Sequence, residues 1–493
     1  MTKRAERSYS PETQLSGSRL PSSLALIVVA ASLAAWALLD SRFRDAEGFL
    51  TAAVAFPLAI SAGIIVFAAG VRFHWIKSAA WLALAIISQA ASHQLIRAGS
   101  GVGYQHLVPP SELFTPGQLI FVLIIAAQGI LSAAVLWRRR DLAERLGISR
   151  WKIAVAFVLI SFLSATFSRR PEAYAIELAV SSAIQLAALC NVLVFALSLP
   201  EHMELRTRKI LELISDQSSN DESAAERHRG RTVTMMAFAV IGITLLLSVL
   251  VYDWHPHIPD EVSYLLQAAY FADGKLFLPA PPVPTAFDID LMHIAGDKWY
   301  SPFPPGWPAV LATGSLVGIP WIVNPLLSGV AVLLCYALVR ELRSGGTALL
   351  VTLLLCVSPW FIFMGMSLMS HTLSLVVALL GALAAVRVWR RQRTAWALGA
   401  GVATGYLSLI RPLDGLIIAI ILGTIMLAMN RGSLRTGALL LFTISCGAVA
   451  SLVLPYNKAL TGDARVFPLT AYFDSHYTPG ANDMGFGPDR GLG

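Results

Sequence analysis

Apolar runs long enough to cross a bilayer, which takes roughly 20 residues, recur from one end of the chain to the other. We place them at 22–40, 48–71, 77–97, 118–137, 152–168, 174–199, 233–252, 321–340, 347–366, 370–389, 395–410, 414–429 and 435–455. The pattern predicts an all-α polytopic membrane protein of about 13 transmembrane helices. Two polar stretches interrupt it. Glu201 to Arg231 is mixed in charge and reads as a linker, with a short interfacial helix at Leu205 to Ile214. Val251 to Trp307 is the longest interhelical segment that is neither apolar nor strongly charged. These breaks divide the chain into an N-terminal six-helix unit (1–200), a cytoplasmic linker (201–232), a membrane core (233–455, with its acidic loop at 253–306) and a tail (456–493).

Composition agrees with the pattern. The chain is 56% hydrophobic and only 14% charged, where a soluble domain carries about 25% charged residues. The net charge of +7 does not point to nucleic acid, because most Lys and Arg sit in short loops between apolar runs. The positive-inside bias accounts for that placement. It sets the N-terminus, with Lys3, Arg4 and Arg7, in the cytoplasm, and the loop from Tyr252 to Trp307 outside. The first apolar run, Ser22 to Leu39, has no small-x-small cleavage site before Asp40 and reads as a retained helix. All four cysteines fall inside apolar spans, which argues against a disulfide framework or a structural zinc site. Gln89, Ser92, His93 and Gln94 share one early span, where helix–helix hydrogen bonding is the simplest role.

Candidate chemistry gathers at the outer side. Pro259 suits the first turn of a helix, and Val262, Leu265, Leu266 and Ala269 follow at helical spacing. We expect a surface helix over 259–273 with Asp260 and Glu261 at its N-terminus. Asp288, Asp290 and His293 lie in the same loop, where they would support the acceptor or the loop itself. His371 opens a later span, and Arg411 and Asp414 form Arg-Pro-Leu-Asp-Gly between two others. Each has an ordinary account as a cap, an anchor or a turn residue. Together they offer a base or a metal-binding pair (Asp260, Glu261) and phosphate-binding groups (Arg411, Lys298, His371) at one membrane face. That set fits group transfer from a lipid phosphate, with a divalent cation such as Mg or Mn as a candidate aid.

The ordered series also resembles a known class. Asp260-Glu261, then Tyr270-Phe271-Ala272-Asp273-Gly274-Lys275-Leu276, then Ser301-Pro302-Phe303-Pro304-Pro305-Gly306-Trp307 look like the first extracytoplasmic loop of the C-type, membrane-integral glycosyltransferases. The likeness is to bacterial relatives of the dolichyl-phosphate-mannose protein mannosyltransferases and of the lipid A aminoarabinose transferases. Met369-Ser370-His371-Thr372 and Arg411-Pro412-Leu413-Asp414-Gly415 are similar to further segments of that group. The resemblance covers about 233–493. It implies an inverting transfer from a polyprenyl-phosphate sugar to a lipid, glycan or protein acceptor, with Asp260 as the acceptor-activating base or metal-linked acid. It also implies a bacterial inner-membrane protein with an extracytoplasmic active site. Two departures stand out: six spans precede the family's first helix, and the chain stops after its last span, as a truncated member would. Outside this class, the same residues would suit a transporter or flippase of lipid-linked glycans, or a non-catalytic membrane assembly protein.

Overall fold

The computed structural model describes residues 19–98, 105–108, 111–138, 154, 167–168, 171–203, 205, 222–429, 432–477 and 485–486. The chain forms two compact units, Met1–Arg206 with Asp483–Gly493, and Thr207–Asn482. In the first, helices α1 (Arg19–Leu39), α2 (Ala55–Arg72) and α3 (Ile76–His93) lead into a hairpin of β1 (Ile96–Ala98) and β2 (Gln105–Leu107). Helix α4 (Pro116–Arg138), the short strand β3 (Phe167–Ser168) and helix α5 (Pro171–Leu197) follow. The polar run at the end of α3 bonds locally and to its neighbour: Ser92 donates to the Gln89 carbonyl (2.7 Å) and Gln94 to the Ala52 carbonyl (3.0 Å).

The second unit opens with α6 (Glu222–Leu250), so helix begins inside the segment expected to be linker. Next come α7 (Pro259–Ala272) and the strands β4 (Leu278–Pro279), β5 (His293–Ala295) and β6 (Lys298–Tyr300), then α8 (Gly306–Ser315). The bundle continues through α9 (Val323–Leu342), α10 (Gly345–Cys356), α11 (Pro359–Met366), α12 (His371–Arg391), α13 (Ala395–Ile410), α14 (Pro412–Met429) and α15 (Gly432–Ala450). Two short helices, α16 (Val453–Thr461) and α17 (Pro468–His476), complete the unit. Beyond them Gly485–Phe486 (β7) pairs in parallel with β3 of the first unit.

Among the described residues eight helices are long and apolar enough to cross a membrane, nine if the bent pair α10–α11 counts as one span. The chain therefore has the helices of an integral membrane protein. The remaining expected spans divide by cause. Those at 395–410 and 414–429 are shorter apolar helices. That at 77–97 is α3, of 18 residues, which is not among the eight. The one at 152–168 lies outside the described residues except for positions 154, 167 and 168, and the expected helix at 205–214 has only Leu205 described.

The fold was expected to be all-α with one surface helix in the loop between α6 and α8; the loop also contains a three-stranded antiparallel sheet in the order β4-β6-β5. The cause is local. Gly296-Asp297 joins β5 to β6 as a two-residue turn, and Gly296 takes φ +62°, which glycine adopts without strain.

The same end of the second unit carries the loop, the N-termini of α7, α12 and α14, and the C-terminus of α13. The far end is tied by ion pairs. Glu226 takes Arg229 (2.8 Å) and Arg340 (3.3 Å); Glu341 takes Arg387 (2.9 Å) and Arg391 (3.0 Å).

Candidate functional site

The expected surface helix exists, but its buried face is not the apolar one. Glu261, Ser263, Tyr264, Gln267 and Ala268 point into the unit, while Val262, Leu265 and Leu266 are half-buried and Ala269 is exposed. An apolar outer face suits a helix lying in the membrane interface. The polar inner face is matched by partners. Ser263 Oγ donates to the Leu291 carbonyl (2.7 Å) and pairs with Ser301 Oγ (2.8 Å). Gln267 Nε2 donates to the hydroxyl of Tyr456 on α16 (2.8 Å). Beneath α7, Trp307, Leu311, Leu373, Leu407 and Ile410 form an apolar floor.

That floor brings α8 and α13 together. A Cβ on Gly306 would lie 2.8 Å from the Leu409 backbone, so only glycine permits the approach. Tyr406 donates across the same contact to the Gly306 carbonyl (2.8 Å). Trp307 Nε1 donates to the Leu368 carbonyl (2.9 Å), and Asn324 Nδ2 donates to the carbonyls of Ser367 (2.7 Å) and Met369 (2.8 Å). The turn before α12 is therefore fixed from three sides.

Arg411, His371 and Asp414 meet at this level. Arg411 Nε donates to Asp414 Oδ2 at 2.6 Å, and Arg411 Nη1 donates to His371 Nε2 at 3.3 Å. An accepting Nε2 leaves the proton of the neutral ring on Nδ1. That Nδ1 is buried and has no partner, while Ser370 Oγ beside it faces the Tyr264 hydroxyl. Gly415 lets α14 start close to α13: a Cβ there would stand 2.6 Å from Ser408 Cα. Asp414 in the first turn of α14 is thereby placed to orient the guanidinium.

Asp260 belongs to the same field. Burial pushes its carboxyl above the ordinary aspartate range. Its own helix amide pulls it back, Asp290 raises it by repulsion and Arg411 lowers it by attraction. Tyr264, one turn along α7, is pushed up to about 12, first by burial and further by the charge on Asp260. A carboxylate tuned upward beside a cation is a suitable proton acceptor.

Glu261 does not join it. The residue is fully buried, Oε2 accepts from His257 N (2.8 Å) and Oε1 accepts from Leu368 N (2.9 Å). Its two bonds brace the start of α7 against the turn before α12. Among the described residues no group of three or more His, Cys, Asp or Glu is arranged to hold a metal ion.

The other expected residues fall outside this group. Asp290 accepts from the Tyr472 hydroxyl on α17 (2.9 Å) and reaches Asp260 only through its charge. Asp288 is exposed and makes none of these contacts. Lys298 Nζ donates to the Ala459 carbonyl (2.9 Å) and lies over the Phe277 ring, so its contacts are in the loop sheet and not with Arg411. His293 is buried among the rings of Tyr300, Tyr472 and His476. Sequence reasoning missed Tyr264, Ser370 and Tyr472. Tyr264 was accessible to it as the residue one helical turn after Asp260; Tyr472 carried no signal, because its partner is 182 positions away.

No family model matches the chain, and neither does any curated protein or solved structure.

Proposed function

We propose that the second unit transfers a sugar from a polyprenyl-phosphate donor to an acceptor hydroxyl, with inversion at the anomeric carbon. One observation carries this: Arg411 bonds both His371 and Asp414 and acts by its charge on Asp260, so that three separate segments converge on one guanidinium at one end of a membrane bundle. Asp260 takes the proton from the acceptor hydroxyl. The acceptor oxygen attacks the anomeric carbon, the bond from that carbon to the phosphate oxygen breaks, and polyprenyl phosphate departs. Arg411 offsets the charge on the leaving phosphate, held in line by Asp414, while the Nδ1–H of His371 is a spare donor nearby. Lys298, bound to Ala459 in the loop sheet, is not among the groups that meet Arg411.

Loop charge favours this end outside and the N-terminus in the cytoplasm; the resemblance points to a bacterial inner membrane and the apolar runs to about 13 spans in all. A cysteine at exposed Asp288 would react with an impermeant thiol reagent from outside; labelling only after permeabilisation would reverse the orientation. Ser263 would not serve, because it is fully buried.

The chemistry is tested with Asp260→Asn. Transfer from a polyprenyl-phosphate sugar should vanish while the protein stays folded, and near-normal turnover would remove Asp260 from the mechanism. Arg411→Ala should weaken donor binding far more than acceptor binding; equal effects on both would count against the phosphate role.

One feature favours a second reading, a transporter or flippase of lipid-linked glycans: α10 and α11 are bent by 60° at a break. At the break Ser358 caps α11 by accepting from Phe361 N (3.4 Å). The last turn of α11 is tied to its neighbours, where Ser248 donates to the Met366 carbonyl (2.9 Å) and Thr372 to the Met364 carbonyl (3.0 Å). A transport path along α11 would leave such carbonyls facing water.

A further inference from the structure

A second polar cleft lies in the outer part of this unit, between the β5–β6 hairpin and the segment joining α16 to α17. Its volume is about 340 Å³. That is the small end of the range for ligand pockets, about 300–1,000 Å³, and suits one sugar ring better than a lipid or a peptide. Its polar lining comes from His293, Asp297, Lys298, Tyr300 and Thr461.

Three of these side chains hold unused bonding capacity. Asp297, at the tip of the hairpin, is exposed and its carboxylate has no partner among the described residues. Lys298 gives one N–H to the Ala459 carbonyl (2.9 Å), which leaves two, and it faces no carboxylate. His293 is 7% exposed, yet its Nδ1 has no hydrogen-bond partner. A buried polar atom without a partner is costly and calls for an explanation such as a ligand. Thr461, by contrast, is already engaged with the Asn457 carbonyl (2.9 Å).

The mixture decides the class of ligand. A phosphate would meet the carboxylate of Asp297, and a metal cation would meet the ammonium of Lys298. A neutral polyol satisfies both, because each hydroxyl donates to a carboxylate and accepts from an ammonium or a ring N–H.

The cleft is also connected to the candidate base. The Tyr472 hydroxyl donates to Asp290 (2.9 Å) and accepts from Leu291 N (3.1 Å). Its ring centre lies 6.1 Å from that of His293. Asp290 in turn acts on Asp260 through its charge.

We propose that this cleft binds a single pyranose residue of the acceptor, gripped by Asp297, Lys298 and His293. The assignment rests on the transferase reading for the word acceptor, but sugar binding can be measured without any transfer. The full chain in detergent micelles is titrated with the methyl glycosides of glucose, mannose, galactose and N-acetylglucosamine, followed by saturation-transfer NMR. At least one glycoside should bind. Asp297→Ala, which removes no internal bond, should weaken it tenfold or more, and His293→Gln should weaken it as well. Asp260→Asn should leave it unchanged. The proposal is overturned if none of the four binds, if Asp297→Ala keeps the affinity within twofold, or if Asp260→Asn abolishes binding, which would put the ring at Asp260 instead. Asp297-dependent binding without any transfer would retire the transferase and keep the sugar site. Asp260-dependent transfer without glycoside binding would retire the cleft alone.

Discussion

Replacing Glu261 by alanine separates a brace from a catalytic group. The wild-type carboxylate is fully buried and accepts from His257 N at 2.8 Å and Leu368 N at 2.9 Å. Alanine leaves the buried Leu368 amide without an acceptor, at about 1–3 kcal/mol, while the part-buried His257 amide can turn to water. Removing the carboxylate's own desolvation cost offsets part of the loss, and we expect a net fall of about 1–2 kcal/mol. In detergent this should appear as a fall of several degrees in the thermal midpoint, followed by intrinsic fluorescence. Glu261→Gln keeps one acceptor oxygen and should fall in between. Asp260→Asn should behave in the opposite way. A carboxyl whose folded-state pKa is raised contributes stability only below its unfolded pKa and loses it as pH rises through the folded value. At neutral pH Asp260 is therefore a cost to the fold, and its amide should leave the midpoint level or higher while transfer is lost. If Glu261→Ala melted like wild type but was as inactive as Asp260→Asn, the brace would be refuted and Glu261 would rejoin the chemistry.

The raised Asp260 carboxyl gives a pH profile with an acid limb above the usual aspartate range, since the base must be ionised to accept a proton. Asp290→Asn removes a repelling charge and should move that limb to lower pH, whereas Arg411→Ala removes an attracting one and should move it up. A limb that ignored both changes would show that Asp260 is not the titrating group. Gly306→Ala should weaken both stability and transfer, because its Cβ would stand 2.8 Å from the Leu409 backbone and force α8 off α13. A fully stable, fully active variant would mean that the contact between α8 and α13 does not position Arg411.

The membrane character and the helix after Pro259 were legible because both depend on local pattern: run length for one, spacing and a first-turn proline for the other. The hairpin at Gly296-Asp297 had a local signal too, a Gly-X pair between two β-prone triplets, but an apolar scan passes over it. The grouping of His371 with Arg411 and Asp414 was approachable from topology, because alternating spans return distant loops to one face. Tyr472 was beyond reach, since its bonds to Asp290 and Leu291 depend on how α17 folds back over the loop.

The acidic pair shows why neighbours in sequence are poor guides to neighbours in a site. An α-helix turns about 100° per residue, so consecutive side chains point in different directions and do not act side by side. Once 259–272 is helical, Asp260 and Glu261 have to part. One carboxylate reaches the field of Arg411, and the other turns into the protein. The partners Asp260 needs are then a helical turn or a whole span away, in Tyr264 and Arg411, and the role left to Glu261 is to hold those spans in register. A reaction that needs two carboxylates at this site would recruit Asp290, the acid among the described residues whose charge acts on Asp260. Asp290→Asn would then abolish transfer and not merely shift its pH limb, and that difference decides between one base and a pair.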